Sequence, residues 1–110
     1  MAMKTTYVQR GESLDYKNAT SSPIEAGDII TLGTRIGIAG CDIPAGETGS
    51  VEVTGVFLIP KKTATDVIAQ GDALYYSSGA TKDNSGGIVI GYAAAASAKD
   101  EKTVAAKLLG

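Results

Sequence analysis

Few side chains in this sequence can do chemistry, and none has an obvious partner to activate it. There is no histidine, which removes the commonest general base and the commonest metal ligand together. Cys41 is the only cysteine, so no internal disulfide can form. Without a base it reads as a small apolar filler near a turn rather than a nucleophile. A serine or threonine nucleophile would need a lysine or carboxylate base, and no Ser-x-x-Lys pattern occurs. Gly33-Thr34-Arg35-Ile36-Gly37 lacks the rest of either nucleotide fingerprint, and no Gly-Lys-Ser/Thr is present. Asp42 and Glu47 flank a turn, a common surface pattern. Tyr75-Tyr76 could stack on a sugar or base, but strand alternation turns one of the two inward, so cross-strand packing is the plainer reading. These residues predict no catalytic, cofactor-binding or metal-binding site.

Three acidic residues share a setting. Ile24-Glu25-Ala26-Gly27-Asp28, Ile43-Pro44-Ala45-Gly46-Glu47 and Ile68-Ala69-Gln70-Gly71-Asp72 all read Ile-x-x-Gly-acid. The form predicts tight turns at Gly27, Gly46 and Gly71: isoleucine anchors to the core, glycine takes a left-handed conformation, and the acid reaches nearby backbone N–H groups. Pro44 is expected at the first central position of its turn. A calcium loop packs several oxygen ligands into about a dozen residues, whereas these acids stand singly in separate turns.

The elements that must carry these turns read as strands. Turn residues recur roughly every eight to twelve positions, the rhythm of an all-β sandwich or barrel. Strands are predicted at Thr5–Gln9, Ser13–Tyr16, Asp28–Leu32, Arg35–Ala39 and Ser50–Ile59. The last places Val51, Val53, Phe57 and Ile59 on one face, with a bulge at Gly55. Ala73–Ser77 follows, then a loose turn from Ser78 to Gly87, then a closing hairpin of Ile88–Ala95 and Thr103–Leu109. Alanine content also allows a helix over Tyr92–Ala98, but the β-branched Ile88-Val89-Ile90 before it favours strand. The predicted core is Ile30, Ile36, Ile38, Val51, Val53, Phe57, Leu74, Ile90 and Val104.

Composition fits one small domain over residues 1–110. The chain is 44% hydrophobic and 20% charged, with 5% aromatic residues and 14 glycines, which favours a packed globule built from aliphatic side chains. A formal net charge of −2 with no basic run argues against nucleic acid as a partner. The longest apolar stretch is too short to span a bilayer, and the N-terminus lacks the apolar core of a signal peptide, so the chain is expected to stay in the cytosol of its maker.

Read end to end, the chain resembles the small decoration, or head cement, proteins of tailed phages. The matching residues are Tyr7-Val8-Gln9-Arg10-Gly11, Leu14 to Thr20 with its Tyr-x-Asn turn, Ile24 to Asp28, and Ile43 to Gly49 running into Val53 to Lys61. Gly71-Asp72-Ala73-Leu74-Tyr75-Tyr76 and Ile90-Gly91-Tyr92-Ala93 complete the pattern. Tyr76 departs from it, since relatives often carry tryptophan there. The resemblance implies a compact all-β barrel or sandwich of short antiparallel strands. It implies a non-enzymatic protein, without cofactor, that binds the major capsid protein on the outside of a phage head and stabilises it. Such a protein would be made in the host bacterial cytoplasm and would end in the virion. It further implies a homo-oligomer, a trimer before a dimer. The polar arm Met1, Ala2, Met3, Lys4, Thr5 and Thr6 is the expected capsid contact, together with the loop from Lys17 to Ser22. The competing reading is a small β-barrel that grips a ligand or carbohydrate through Tyr75, Tyr76 or Tyr92.

Overall fold

The β-branched and alternating segments pair into two antiparallel sheets in the computed structural model, which describes residues 3–109. Strands β1 (Ser13–Lys17), β2 (Ile29–Leu32), β3 (Arg35–Ala39) and β4 (Thr48–Glu52) form one sheet in the order β1-β4-β3-β2. Strands β5 (Gly55–Pro60), β6 (Ala73–Tyr76), β7 (Ala80–Thr81), β8 (Ile88–Ala93) and β9 (Thr103–Leu108) form the other, ordered β5-β9-β8-β6-β7. An isolated parallel bridge between Lys61 and Ala80 draws β7 back toward the end of β5. The strands themselves do not pair there, so the architecture is sandwich-like and not a closed barrel. No helix occurs among the described residues: Tyr92 and Ala93 end β8, the chain bends at Ala94 and Ala95, and Ser97 bridges Ile68.

Three expectations are corrected. Thr5–Gln9 lies outside any strand. Its Thr-Thr-Tyr-Val composition favours strand, but a strand also needs a neighbour to hydrogen-bond, and no sheet of this chain pairs with it. Ser50–Ile59 is two strands in different sheets, joined at Gly55, whose φ of 115° breaks the extended run. Val51 and Val53 therefore face a different cluster from Phe57 and Ile59. The predicted loose turn contains β7, which Ala80 and Thr81 form by pairing with Tyr76 and Tyr75.

Of the predicted core, all but Phe57 are buried. The half-buried Phe57 packs at the margin of the larger cluster. That cluster holds most of the second sheet's inner face together with Ile36 and Ile38 of β3, so the first sheet seats part of itself on the second. A smaller cluster of Ile30, Ala39, Val51 and Val53 fills the first. The radius of gyration is 15.5 Å, above the roughly 13 Å of a compact chain this long, as two abutting sheets and an unpaired arm would give.

The two sheets are the same unit twice. Four strands of each match in order, β1 with β5, β4 with β9, β3 with β8 and β2 with β6, and β7 is an addition to the second. Each unit is pinned by one antiparallel bridge between loops, Ile24 with Ile43 and Ile68 with Ser97. A tight turn follows each bridge residue: Glu25 to Asp28, Pro44 to Glu47, Ala69 to Asp72 and Ala98 to Glu101, every one closed by a hydrogen bond from its fourth N–H to its first carbonyl. The third residues, Gly27, Gly46, Gly71 and Asp100, have φ of 91°, 80°, 92° and 70°, as a type II turn demands. The three predicted turns are thus present and a fourth joins them. Pro44 opens its turn rather than taking the first central position.

Behind the turns, each unit buries one polar side chain just after its first strand. Asn18 donates from Nδ2 to the Ser22 and Ile43 carbonyls at 2.8 and 3.0 Å, while its Oδ1 accepts from the Thr20 N–H and hydroxyl. Lys61, its counterpart, donates from Nζ to the Asp66 carbonyl at 2.6 Å, the Ala98 carbonyl at 3.1 Å and the Ser97 hydroxyl at 3.2 Å. All three ammonium protons are used, and every acceptor is neutral.

Two predictions follow from this packing. Lys61→Met should lose about 2–3 kcal/mol in urea unfolding, because it strips charge-assisted bonds from buried acceptors. Exposed Lys62→Met should stay within roughly 0.5 kcal/mol of wild type. Gly91→Ala should lose about 3 kcal/mol or more, since a Cβ there would overlap the Lys107 carbonyl and φ is 149°. Gly46→Ala has open space and should lose only about 1–2 kcal/mol in the same measurement.

Candidate functional site

The residues singled out for chemistry do not converge. Asp28 and Asp72 serve their own turns, each accepting from the N–H of the first turn residue: Glu25 at 3.0 Å and Ala69 at 2.9 Å. Asp42 accepts from the Ala26 N–H at 2.8 Å and ties the two loops of the first unit together. Among the described residues, no three His, Cys, Asp or Glu side chains group closely enough to hold a metal ion. Cys41 is exposed rather than the buried filler expected, because the chain leaves β3 there and its side chain has no core to enter. At the exposed tip between β7 and β8, the backbone N–H of Ser85 holds the Asp83 carboxyl below the usual carboxylate range.

The tyrosines separate as well. Tyr76 packs against the larger cluster and lines an open cleft of about 510 Å³ between the sheets, with Ile29, Ile38, Phe57 and Ile59 among its walls. Tyr75 pairs with Val89, and Tyr92 with Ala73 and Lys107, on the opposite face of the second sheet. No aromatic ligand platform is assembled from the three.

Besides that cleft, the fold presents exposed apolar surface. The outward face of the second sheet carries Leu58 at 73% exposed, Val56 at 56%, Tyr92 at 39% and Val89 at 37%. Val56, Lys107, Tyr92 and Ala73 form one row across four strands, with Leu58 and Ala105 in the next. Lys107 is the charge in that row, and its Nζ lies 5.8 Å from the Tyr92 ring centroid, where the ring face attracts it. A one-sided antiparallel sheet ordinarily places polar residues outward, so this face is apolar against expectation. Alternation within Gly55–Pro60 was its sequence signal, hidden by reading the segment as one strand with Ser50–Thr54.

A second surface is the arm. Met3, Tyr7 and Val8 are 97%, 79% and 84% exposed, and Lys4, Thr5 and Thr6 are exposed beside them. Met1 and Ala2 lie outside the described residues. The loop following β1 is divided: Ala19 to Ser22 is exposed, whereas Asn18 is fully buried and anchors the loop's base.

Comparison with known proteins gives a family match. The sequence pattern of a family described as phage cement protein fits residues 8–108. No curated protein and no solved structure matches the chain. The match takes in both sheets and all four turns, and with it the chain is placed in the phage cement protein family.

Proposed function

We propose that this protein is a non-enzymatic cement that binds the outer surface of a phage head, contacts its major capsid protein, and stabilises the shell. The family match across residues 8–108 carries the reading. The structure supports it through what it offers a partner: exposed apolar surface, and side chains of reactive type spent on turns and loop ties. Self-association as a trimer, or failing that a dimer, belongs to the same reading, because repeated copies on a lattice multiply a weak contact.

The arm is the proposed capsid contact. Its described residues, Met3 to Thr6, are exposed and open a stretch, running to Gly11, whose backbone joins neither sheet. Ordering such a segment costs conformational entropy, which docking against a rigid shell can repay. The exposed part of the Lys17–Ser22 loop is proposed as a further contact.

The test is co-sedimentation of purified protein with expanded, undecorated heads of the phage that encodes it. Wild type should saturate the heads at a fixed stoichiometry and raise their melting temperature. Deleting Ala2 to Thr6 should weaken binding about tenfold or more while leaving the melting temperature of the free protein almost unchanged. Truncated protein that saturates heads with the original affinity would place the contact elsewhere, and wild type that never co-sediments would end the cement reading.

A further inference from the structure

The contact that joins the two units inside the chain is not symmetric. The first unit contributes the face bearing Ile29, Ile36 and Ile38. The second receives them with residues of its opposite face, including Phe57, Ile59 and Tyr76. Because the units share one topology, each of these faces has a counterpart without a partner sheet; the centre of the first unit's, at Ile30, Ala39, Val51 and Val53, is buried, and its rim stays open at Leu14. Ile29 and Ile38 pair across β2 and β3, and their counterparts Ala73 and Tyr92 pair across β6 and β8 on the exposed outer face. Phe57, Ile59 and Tyr76 correspond to Leu14, Tyr16 and Leu32 of the first unit. Leu14 is 40% exposed and the other two are half-buried.

We propose that a second copy of this chain fills this gap head to tail. The outer face around Val56, Leu58 and Tyr92 of one copy seats on Leu14, Tyr16 and Leu32 of the next, repeating between chains the contact made within each.

Three observations select a second copy as the occupant. The receiving and donating surfaces are already matched once, inside the chain, so the pair continues an existing interface. At its edge strand the outer face of the second sheet is also more apolar than that of the first: Val56 and Leu58 of β5 stand where β1 has the exposed Ser13 and Asp15. An apolar sheet face left bare in this way invites association. The formal net charge of −2 adds little repulsion between copies. A contact of this head-to-tail kind closes into a ring or grows into a filament. A ring of three chains would set six like units around one axis.

The inference gives a surface to the self-association in the proposed function, and it is tested without capsids, so its failure is distinct from failure of shell binding. Sedimentation equilibrium of the full chain should show association that Leu58→Asp and Leu14→Asp each weaken at least about tenfold. Both side chains are substantially exposed, so each variant should melt within a few degrees of wild type. Val56→Asp replaces Leu58→Asp if the latter is poorly folded. The decisive arm mixes the two variants. Each keeps one intact face, so the mixture should form a mixed dimer that neither variant forms alone. Wild type that stays monomeric overturns the proposal, as does association that survives both substitutions. A mixture that remains monomeric also overturns it, because it would show the two residues acting on one symmetric contact.

Discussion

Two loops in each unit must come together with their backbone polar groups satisfied, and one buried side chain after the first strand makes that possible. In the first unit it is an amide, in the second an ammonium. Both reach across to the carbonyls of the turn segment that closes the unit. A chain with 5% aromatic residues has little bulk to force loops into place by packing alone. Buried carbonyls without partners would cost on the order of 1–3 kcal/mol each. The bridge between Ile24 and Ile43, the turns beyond it, and the strands the turns connect all depend on that satisfaction. The solutions differ chemically while the geometry is retained, which argues that the requirement comes from the fold rather than from a function of asparagine or lysine.

The duplication explains what sequence reading captured and what it missed. Three of the four turns were visible because glycine and an apolar anchor stand where the geometry needs them. The fourth hides behind Ser97 and Asp100. Asp100 takes positive φ without glycine, and Ser97 satisfies Lys61 instead of filling the core. The aliphatic core was legible from alternation, since a side chain's direction in a strand is local. The division of Ser50–Ile59 was not, because alternation continues through Gly55 and only tertiary pairing shows that the chain changes sheets. Burial of Lys61 was likewise out of reach, since its acceptors at Asp66, Ser97 and Ala98 come from two separate loops. Asp28, Asp42 and Asp72 hold turns and loop ties through backbone N–H groups, and only the bonds of Asp28 and Asp72 within their own Ile-x-x-Gly-acid turns were legible in the sequence.

A duplicated unit joined head to tail leaves one face of each kind without a partner, whatever the chain does for a living. A two-fold arrangement would have buried one equivalent face of each unit and left two identical outer faces rather than a complementary pair. An antiparallel sheet face left to water is ordinarily polar, as β1 is at Ser13 and Asp15. Strand β5 carries valine and leucine at the corresponding positions, and Tyr92, Val89 and Ala105 share its outer face.

That exposed face bears on how, in the proposed reading, a protein this small would reinforce a shell. Linking copies would change the arithmetic, because once one copy is bound the arms of its neighbours are held near their own sites, and the second contact becomes intramolecular. The sheet face and the arm would then do different work: the face would join copies at the spacing its strands set, and the arm, which joins neither sheet, would adapt to the surface beneath. On that division of labour stiffness arises from the linkage and not from the affinity of any one copy.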